Sequence, residues 1–198
     1  MRILVVFCHP VAESFAAAIR DRCVAELKRA GHELIVKDLY REGFDPVMSA
    51  DERRAYEDQS ADRAAVAGEL AALTQAEGLL LIYPTWWYGL PAMLKGWFDR
   101  VWLPGVAFDL ESKRGISTHA LAGVRRLMVV TTYGAPRWFI RLWMGDPGRK
   151  VVLRGFRVLL APKCRSAWAA LYRMDVATAG QRRRFLDRVG RKLAFFDR

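Results

Sequence analysis

The chain has 198 residues, enough for one domain with a proper core, and no run in it approaches the ~20 apolar residues of a membrane-spanning helix. Its formal charge of +11 is lopsided: residues 1–99 carry 11 Lys/Arg against 15 Asp/Glu, a net of −4, and residues 100–198 carry 21 against 6, a net of +15. Three readings stay open, a solvated face, attraction of an anionic nucleotide cofactor, and contact with anionic lipid or nucleic acid; no helix-turn-helix, zinc-finger or RNP-like motif accompanies the basic surplus, so nucleic acid is the weakest of these partners and none is expected.

The chain opens RILVVFC, a continuous apolar run at residues 2–8 expected to form a strand covered on both faces. A secretory leader needs a longer apolar region, so this run reads as the first strand rather than as a signal. His9 and Pro10 start a loop, Ser14 is placed to cap a helix over residues 15–30, and Gly31 stops it. Residues 33–38 give a second strand, and the β-α-β order implies a right-handed crossover to a parallel neighbour. A polar excursion follows, with short helical potential at Ala50 to Asp58. A helix over residues 63–76 and a third strand from Gly78 to Tyr83 complete the pattern.

The most informative stretch is IYPTWWYGLPAMLKGWFDRVWL, residues 82–103. It ends a strand, breaks at Pro84, places Trp86, Trp87 and Tyr88 on a short turn, and restarts at Pro91 as a helix, where a missing N–H is tolerated. Trp97, Phe98 and Trp102 recur at helical spacing and read as a buried face. A turn bounded by two prolines has little core to reach, so its rings are free to meet a flat ligand. Residues 104–123 are expected to project as a loop, and Val124 to Thr132 form a fourth strand ending at Tyr133-Gly134. The segment PRWFIRLWMG, from Pro136, spaces Trp138, Phe139, Leu142 and Trp143 on one helical face; a packed helix, a pocket lid and a membrane-surface element all fit it. Asp146 to Arg154 reads as helical, Phe156 to Ala161 as a fifth strand, and Val176 to Phe196 as a basic terminal helix. Strands alternating with helices predict one doubly wound α/β domain.

Several chemistries are excluded. There is no G-x-G-x-x-G after the first strand, no Walker A and no G-x-S-x-G elbow. His9, His32 and His119 are scattered, so no metal site is expected. Cys8, Cys23 and Cys164 form no CxxC and leave one thiol over in any disulfide scheme, which points to a reducing cytoplasm. What remains is a set of strand ends. In a sheet ordered 2-1-3-4-5, His9, the Pro84 to Tyr88 turn and Thr131 to Gly134 converge at the switch between strands one and three. The helix start at Ser14 and Phe15 offers free N–H groups and a positive dipole for a phosphate. Phosphate site and ring faces together fit a flavin.

FCHP followed by SF, then YPTWWYGLPAMLKGWFDRVW, then TTYG resembles the NAD(P)H:quinone oxidoreductases of DT-diaphorase type, in the flavodoxin-like superfamily, in register from Met1 to about Gly134. The resemblance implies a flavodoxin-like five-stranded sheet with helices on both faces, FAD or FMN as cofactor, NAD(P)H as co-substrate and a quinone as acceptor, with nitro- or azo-aromatics as the alternative. It implies that His9, Ser14 and Phe15 contact the cofactor's phosphate-bearing chain. Pro84, Thr85, Trp86, Trp87 and Tyr88 would frame the isoalloxazine, and Thr131, Thr132, Tyr133 and Gly134 would line its pyrimidine side. It further implies a homodimer whose pockets are completed across the interface, with Phe108 matching an aromatic that reaches across. Trp87, Phe108 and Trp138 are the candidate lining of the substrate pocket. Some relatives are instead ancillary subunits of membrane cation antiporters. Two departures stand out: Ala16 replaces a common Asn, and TTYGAPRWFIRLWMGD lacks the family's pocket histidine, leaving Tyr133 or water to handle the proton.

Overall fold

In the computed structural model, residues 1–108 and 120–197 are described. Most of the expected projecting loop, with His119, lies outside them. Five parallel strands form one sheet in the order 2-1-3-4-5, as expected: β1 (Arg2–Phe7), β2 (Glu33–Asp38), β3 (Gly78–Pro84), β4 (Arg126–Tyr133) and β5 (Arg165–Tyr172). β1 beyond Arg2 and the whole of β3 are buried at the centre of the sheet. β2, exposed at Glu33 and Val36 and half-buried elsewhere, is an edge.

Among the described residues, six α-helices connect and cover the strands: α1 (Phe15–Arg29), α2 (Ala50–Arg54), α3 (Ala67–Thr74), α4 (Ala92–Val101), α5 (Pro147–Lys150) and α6 (Ala179–Lys192). One face of the sheet packs Ile3, Val5 and Phe7 against Ile19, Cys23 and Leu27 of α1 and Phe185 and Val189 of α6. The other packs Leu4, Val6, Leu79 and Leu81 against Leu73 of α3 and Leu94, Trp97 and Val101 of α4. Trp97, Phe98 and Trp102 are core, as their spacing predicts. Ser14 caps α1 by accepting from the Ala17 N–H at 3.1 Å. Pro91 is the N-cap of α4, one place ahead of its first turn.

The excursion between β2 and α3 is clamped onto α4. Arg100, buried, donates to Glu52 Oε1 at 3.1 Å through Nε and also bonds the Asp45 carbonyl. Gly96 admits the Pro46 backbone so closely that a Cβ there would lie 2.2 Å from the Pro46 carbonyl oxygen.

Two expectations are corrected. Phe156 to Ala161 is not the fifth strand. It ends a wound segment of π-helix (Val151–Phe156) and 3-10 helix (Arg157–Leu159), in which Phe156 stacks on Phe98 at 4.0 Å and Leu160 is fully buried. A short apolar run is ambiguous between strand and buried helix, and here packing against α4 decides for helix. The terminal helix begins at Ala179, not Val176, because Thr178 and Gln181 form a reciprocal capping box.

Candidate functional site

The carboxyl ends of β1, β3 and β4 open into a cavity of about 710 Å³ lined by His9, Phe15, Ala16, Pro84, Thr85, Trp86, Trp87, Thr132, Gly134, Met174 and Asp175. That size falls in the range of small-molecule sites, roughly 300–1,000 Å³. Eight of the residues singled out from sequence therefore meet at one place.

The turn after β3 has a specific backbone form. Gly89 N–H donates to the Trp86 carbonyl at 3.0 Å, and Trp87 and Tyr88 between them take φ values of 48° and 63°. Two consecutive left-handed residues closing a four-residue bridge make a type I′ turn, which Asn and Gly usually occupy. Bulky residues there cost on the order of 1–3 kcal/mol each. The conformation holds Trp87 95% exposed, with Trp86 at 41%. The backbone N–H groups of Trp87 and Tyr88 have no partner among the described residues. Beneath the turn, Gly148 N–H donates to the Tyr88 carbonyl at 3.1 Å, and a Cβ on Gly148 would lie 2.9 Å from that oxygen. The Tyr88 ring meets Phe139 at 6.1 Å and does not line the cavity.

Opposite the turn, Thr85 N–H donates to the Thr132 carbonyl at 2.8 Å, and the Thr85 and Thr131 hydroxyls are bonded at 2.8 Å. Thr131 is fully buried behind the wall; Thr132 and Gly134 reach the cavity. Thr132 and Tyr133 lie inside the β4 ladder, and Gly134 is the first residue beyond it. At the first strand's end, His9 Nδ1 accepts from the Val11 N–H at 3.0 Å, and the ring lies 6.3 Å from that of Trp86. Burial holds the His9 pKa below its ordinary value and the Val11 backbone acts against it, so burial favours the neutral ring. Ser14 is engaged as the cap of α1 and does not line the cavity.

Tyr133 stands apart from the others. Its side chain is buried, stacks on Tyr172 at 5.0 Å and donates through its hydroxyl to Asp146 Oδ1 at 3.1 Å. Burial first, and the Asp146 carboxylate second, push its pKa far up. The phenol is spent inside the fold and is not presented to the cavity. Phe108 folds back beside Tyr56, with ring centroids 6.5 Å apart, and packs on the core. Trp138 is 62% exposed, edge-on to Phe139, outside the cavity. Neither lines the pocket within this chain.

Sequence reasoning missed Met174 and Asp175. They follow β5, and displacing that strand to Phe156 to Ala161 hid its end. The available signal was the capping box at Thr178 and Gln181, which marks the residues before it as a strand-to-helix loop at the same rim. Asp175 closes on the site: its Oδ2 is 2.6 Å from the Cβ position of Gly134, so a side chain there would displace the Asp175 carboxylate. Among the described residues no cluster of three or more His, Cys, Asp or Glu could hold a metal, and no helix is long and apolar enough to cross a membrane.

Known proteins resemble this chain in sequence and fold. A ribosyldihydronicotinamide dehydrogenase-like protein of Penicillium crustosum is 33% identical over 157 residues, covering 68% of this chain and 58% of that protein. An uncharacterized NAD(P)H oxidoreductase of Escherichia coli is 33% identical over 108 residues, covering 54% and 55%. The chain thus spans little more than half the length of these curated relatives. The solved NAD(P)H:quinone oxidoreductase from Methanothermobacter marburgensis superposes with a TM-score of 0.84 at 27% identity, covering 100% of this chain and 98% of that one. These names are the ones to which the WWYG turn and its flanking motifs pointed. A family model for the flavodoxin-like fold matches residues 1–150, and the chain belongs to that family.

Proposed function

We propose that the chain is a flavin-dependent NAD(P)H oxidoreductase that reduces quinones or related aromatic acceptors, with FAD or FMN in the strand-end cavity. The observation that carries this reading is the type I′ turn, which spends backbone strain to hold the Trp87 ring 95% exposed at the cavity rim. A side chain serving only the core would be buried. The donor set fits a flavin: unpaired N–H groups at Trp87 and Tyr88 suit the polar edge of a planar heterocycle, and the 15-residue helix α1 starts at the cavity, where its dipole favours a phosphate.

A flavin supplies the hydride chemistry, accepting from the nicotinamide and delivering to the acceptor. The protein's part is positioning. Trp86 and Trp87 offer ring faces, Pro84 and Thr85 fix the turn to the sheet, and Thr132 and Gly134 close the opposite side. Phe15 and Ala16 bring the α1 terminus to the phosphate-bearing chain. Tyr133 acts through β4 and Asp146 and is not assigned proton transfer; water at the open rim takes that role. The names of the relatives support the same activity.

A homodimer in a reducing cytoplasm completes the reading. Its support is the family resemblance, the exposed Trp138, Leu142 and Trp143, and three buried free thiols. The same patch, flanked by Arg137 and Arg141, would alternatively meet anionic lipid, which co-sedimentation with vesicles distinguishes from a dimer face.

The test is an absorbance spectrum of the purified protein before and after anaerobic NADH or NADPH, with the released cofactor identified by chromatography. A flavin band that bleaches is the expected result. If no flavin binds on reconstitution, the turn is a protein-contact surface and the enzymatic reading fails.

A further inference from the structure

A second cleft, of about 420 Å³, lies between the two π-helical stretches and is lined by Arg141, Gly145, Asp146, Arg149, Lys150, Leu153 and Arg154. Four cations face one carboxylate. Among the described residues, Arg149, Lys150 and Arg154 form no ion pair, and the Arg149 Nε is buried without a hydrogen-bond partner. An unmatched buried guanidinium N–H is costly, and like charges this close repel. Gly145, at φ 69°, leaves room for the Lys150 ammonium, which lies 3.1 Å from where its Cβ would be. Asp146 is 7% exposed; its Oδ1 accepts from Tyr133, and its Oδ2, 4.0 Å from Arg141 Nε, accepts no hydrogen bond. The cleft thus holds an anion-attracting rim and one buried acceptor, both unsatisfied.

Its location narrows the ligand. Asp146 and Arg149 line the cleft, and Gly148 between them in sequence donates its N–H to the Tyr88 carbonyl, so the short helix that edges the cleft also braces the turn that carries Trp87. We propose that this cleft receives the 2′-phosphate of NADPH, held by Arg149, Lys150 and Arg154 at its rim. The inference rests on the reading above, that a nicotinamide nucleotide works at the turn. A phosphate monoester is a dianion with three acceptor oxygens, which two guanidinium forks and an ammonium match in charge and geometry. A nucleotide lacking that phosphate would leave the cations as unmatched as they are now. The cleft is therefore a determinant of donor choice.

The test uses the flavin-loaded protein and its Arg149→Gln/Lys150→Gln variant, Lys150 being exposed and Arg149 half-buried, with the fold checked by melting. Titration with 2′,5′-ADP and with 5′-AMP reads the cleft without turnover. The expected result is that 2′,5′-ADP binds at least about tenfold more tightly than 5′-AMP and that the variant loses this difference. The ratio of kcat/KM for NADPH to that for NADH should fall by a similar factor. Equal binding of the two nucleotides, or an unchanged ratio in the variant, overturns the proposal. So does a variant that keeps its nucleotide preference but loses binding to phosphatidylserine vesicles, which would make the cleft a lipid-headgroup site. If neither donor bleaches the flavin, the oxidoreductase reading fails, while the nucleotide titration still decides the cleft.

Discussion

The Tyr133 hydroxyl donates at 3.1 Å to Asp146, a residue held at φ 53° and buried. This bond ties the end of β4 to the segment after the first π-helical stretch and turns the phenol away from the strand-end cavity. Tyr133→Phe leaves a buried carboxylate oxygen unpaired, a loss of about 1–3 kcal/mol. The variant should melt several degrees lower and retain its flavin and the turnover of its folded fraction. Because burial and the carboxylate keep the phenol protonated, the wild-type pH–rate profile should show no alkaline inflection that the Phe variant lacks. A large fall in kcat at unchanged melting temperature would return Tyr133 to the chemistry.

The strained turn separates two contributions of Trp87. Trp87→Ala and Trp87→Gly both remove the ring, and both should raise the flavin dissociation constant by about tenfold or more, since aromatic contacts of this kind contribute on the order of 1 kcal/mol beyond area burial. Only glycine relieves the left-handed conformation. The Gly variant should therefore be the more stable of the two by about 1 kcal/mol in urea melts, part of it offset by the freer unfolded chain. Identical flavin affinity in the wild type and both variants would remove the ring from the site.

Gly96→Ala tests the clamp between α4 and the excursion. A methyl group 2.2 Å from the Pro46 carbonyl oxygen cannot be accommodated without moving backbone. The expected cost is about 1–3 kcal/mol, accompanied by faster proteolysis between residues 45 and 62, while the β-sheet amides stay protected from exchange.

The ion pair behind that clamp predicts acid sensitivity. Burial alone would raise the Glu52 carboxyl; the Ser49 backbone N–H and Arg100 outweigh it and hold the pKa below its ordinary value. A depressed folded-state pKa contributes stability that is present above the unfolded carboxyl's pKa and lost as pH falls through the folded value. Glu52→Gln should cost about 2 kcal/mol at neutral pH, because it strands the buried Arg100. The gap between wild type and variant should close below pH ~4, as followed by thermal melts across pH.

Much of this molecule is readable from its residues, for identifiable reasons. β1 and β3 are uninterrupted runs of large apolar side chains, and only a strand covered on both faces uses such a run at that length. Ser14 and Gly31 bracket α1 because capping and chain reversal depend on local chemistry. β5 was not readable. Its sequence RSAWAALY has no β-branched residue, and its strand character comes from pairing with β4, while the more apolar FRVLLA is recruited to helix by Phe98 and its neighbours. The site divides the same way. His9, the Pro84 to Trp87 turn, Thr132 and Gly134 follow strands that announce themselves. Met174 and Asp175 follow the one that does not. The type I′ form of Trp87 and Tyr88 carries no glycine or asparagine signal, and the inward turn of Tyr133 depends on Asp146, thirteen residues on and across a loop.

The bond from Gly148 N–H to the Tyr88 carbonyl makes the ring-bearing turn and the short helix behind it one mechanical unit. Linkage then imposes a symmetry on any ligands at its two ends: whatever factor occupancy of the helix side adds to affinity at the turn, occupancy of the turn must add at the helix side. In a ping-pong sequence, the first product would leave both ends together, clearing the ring face for the acceptor.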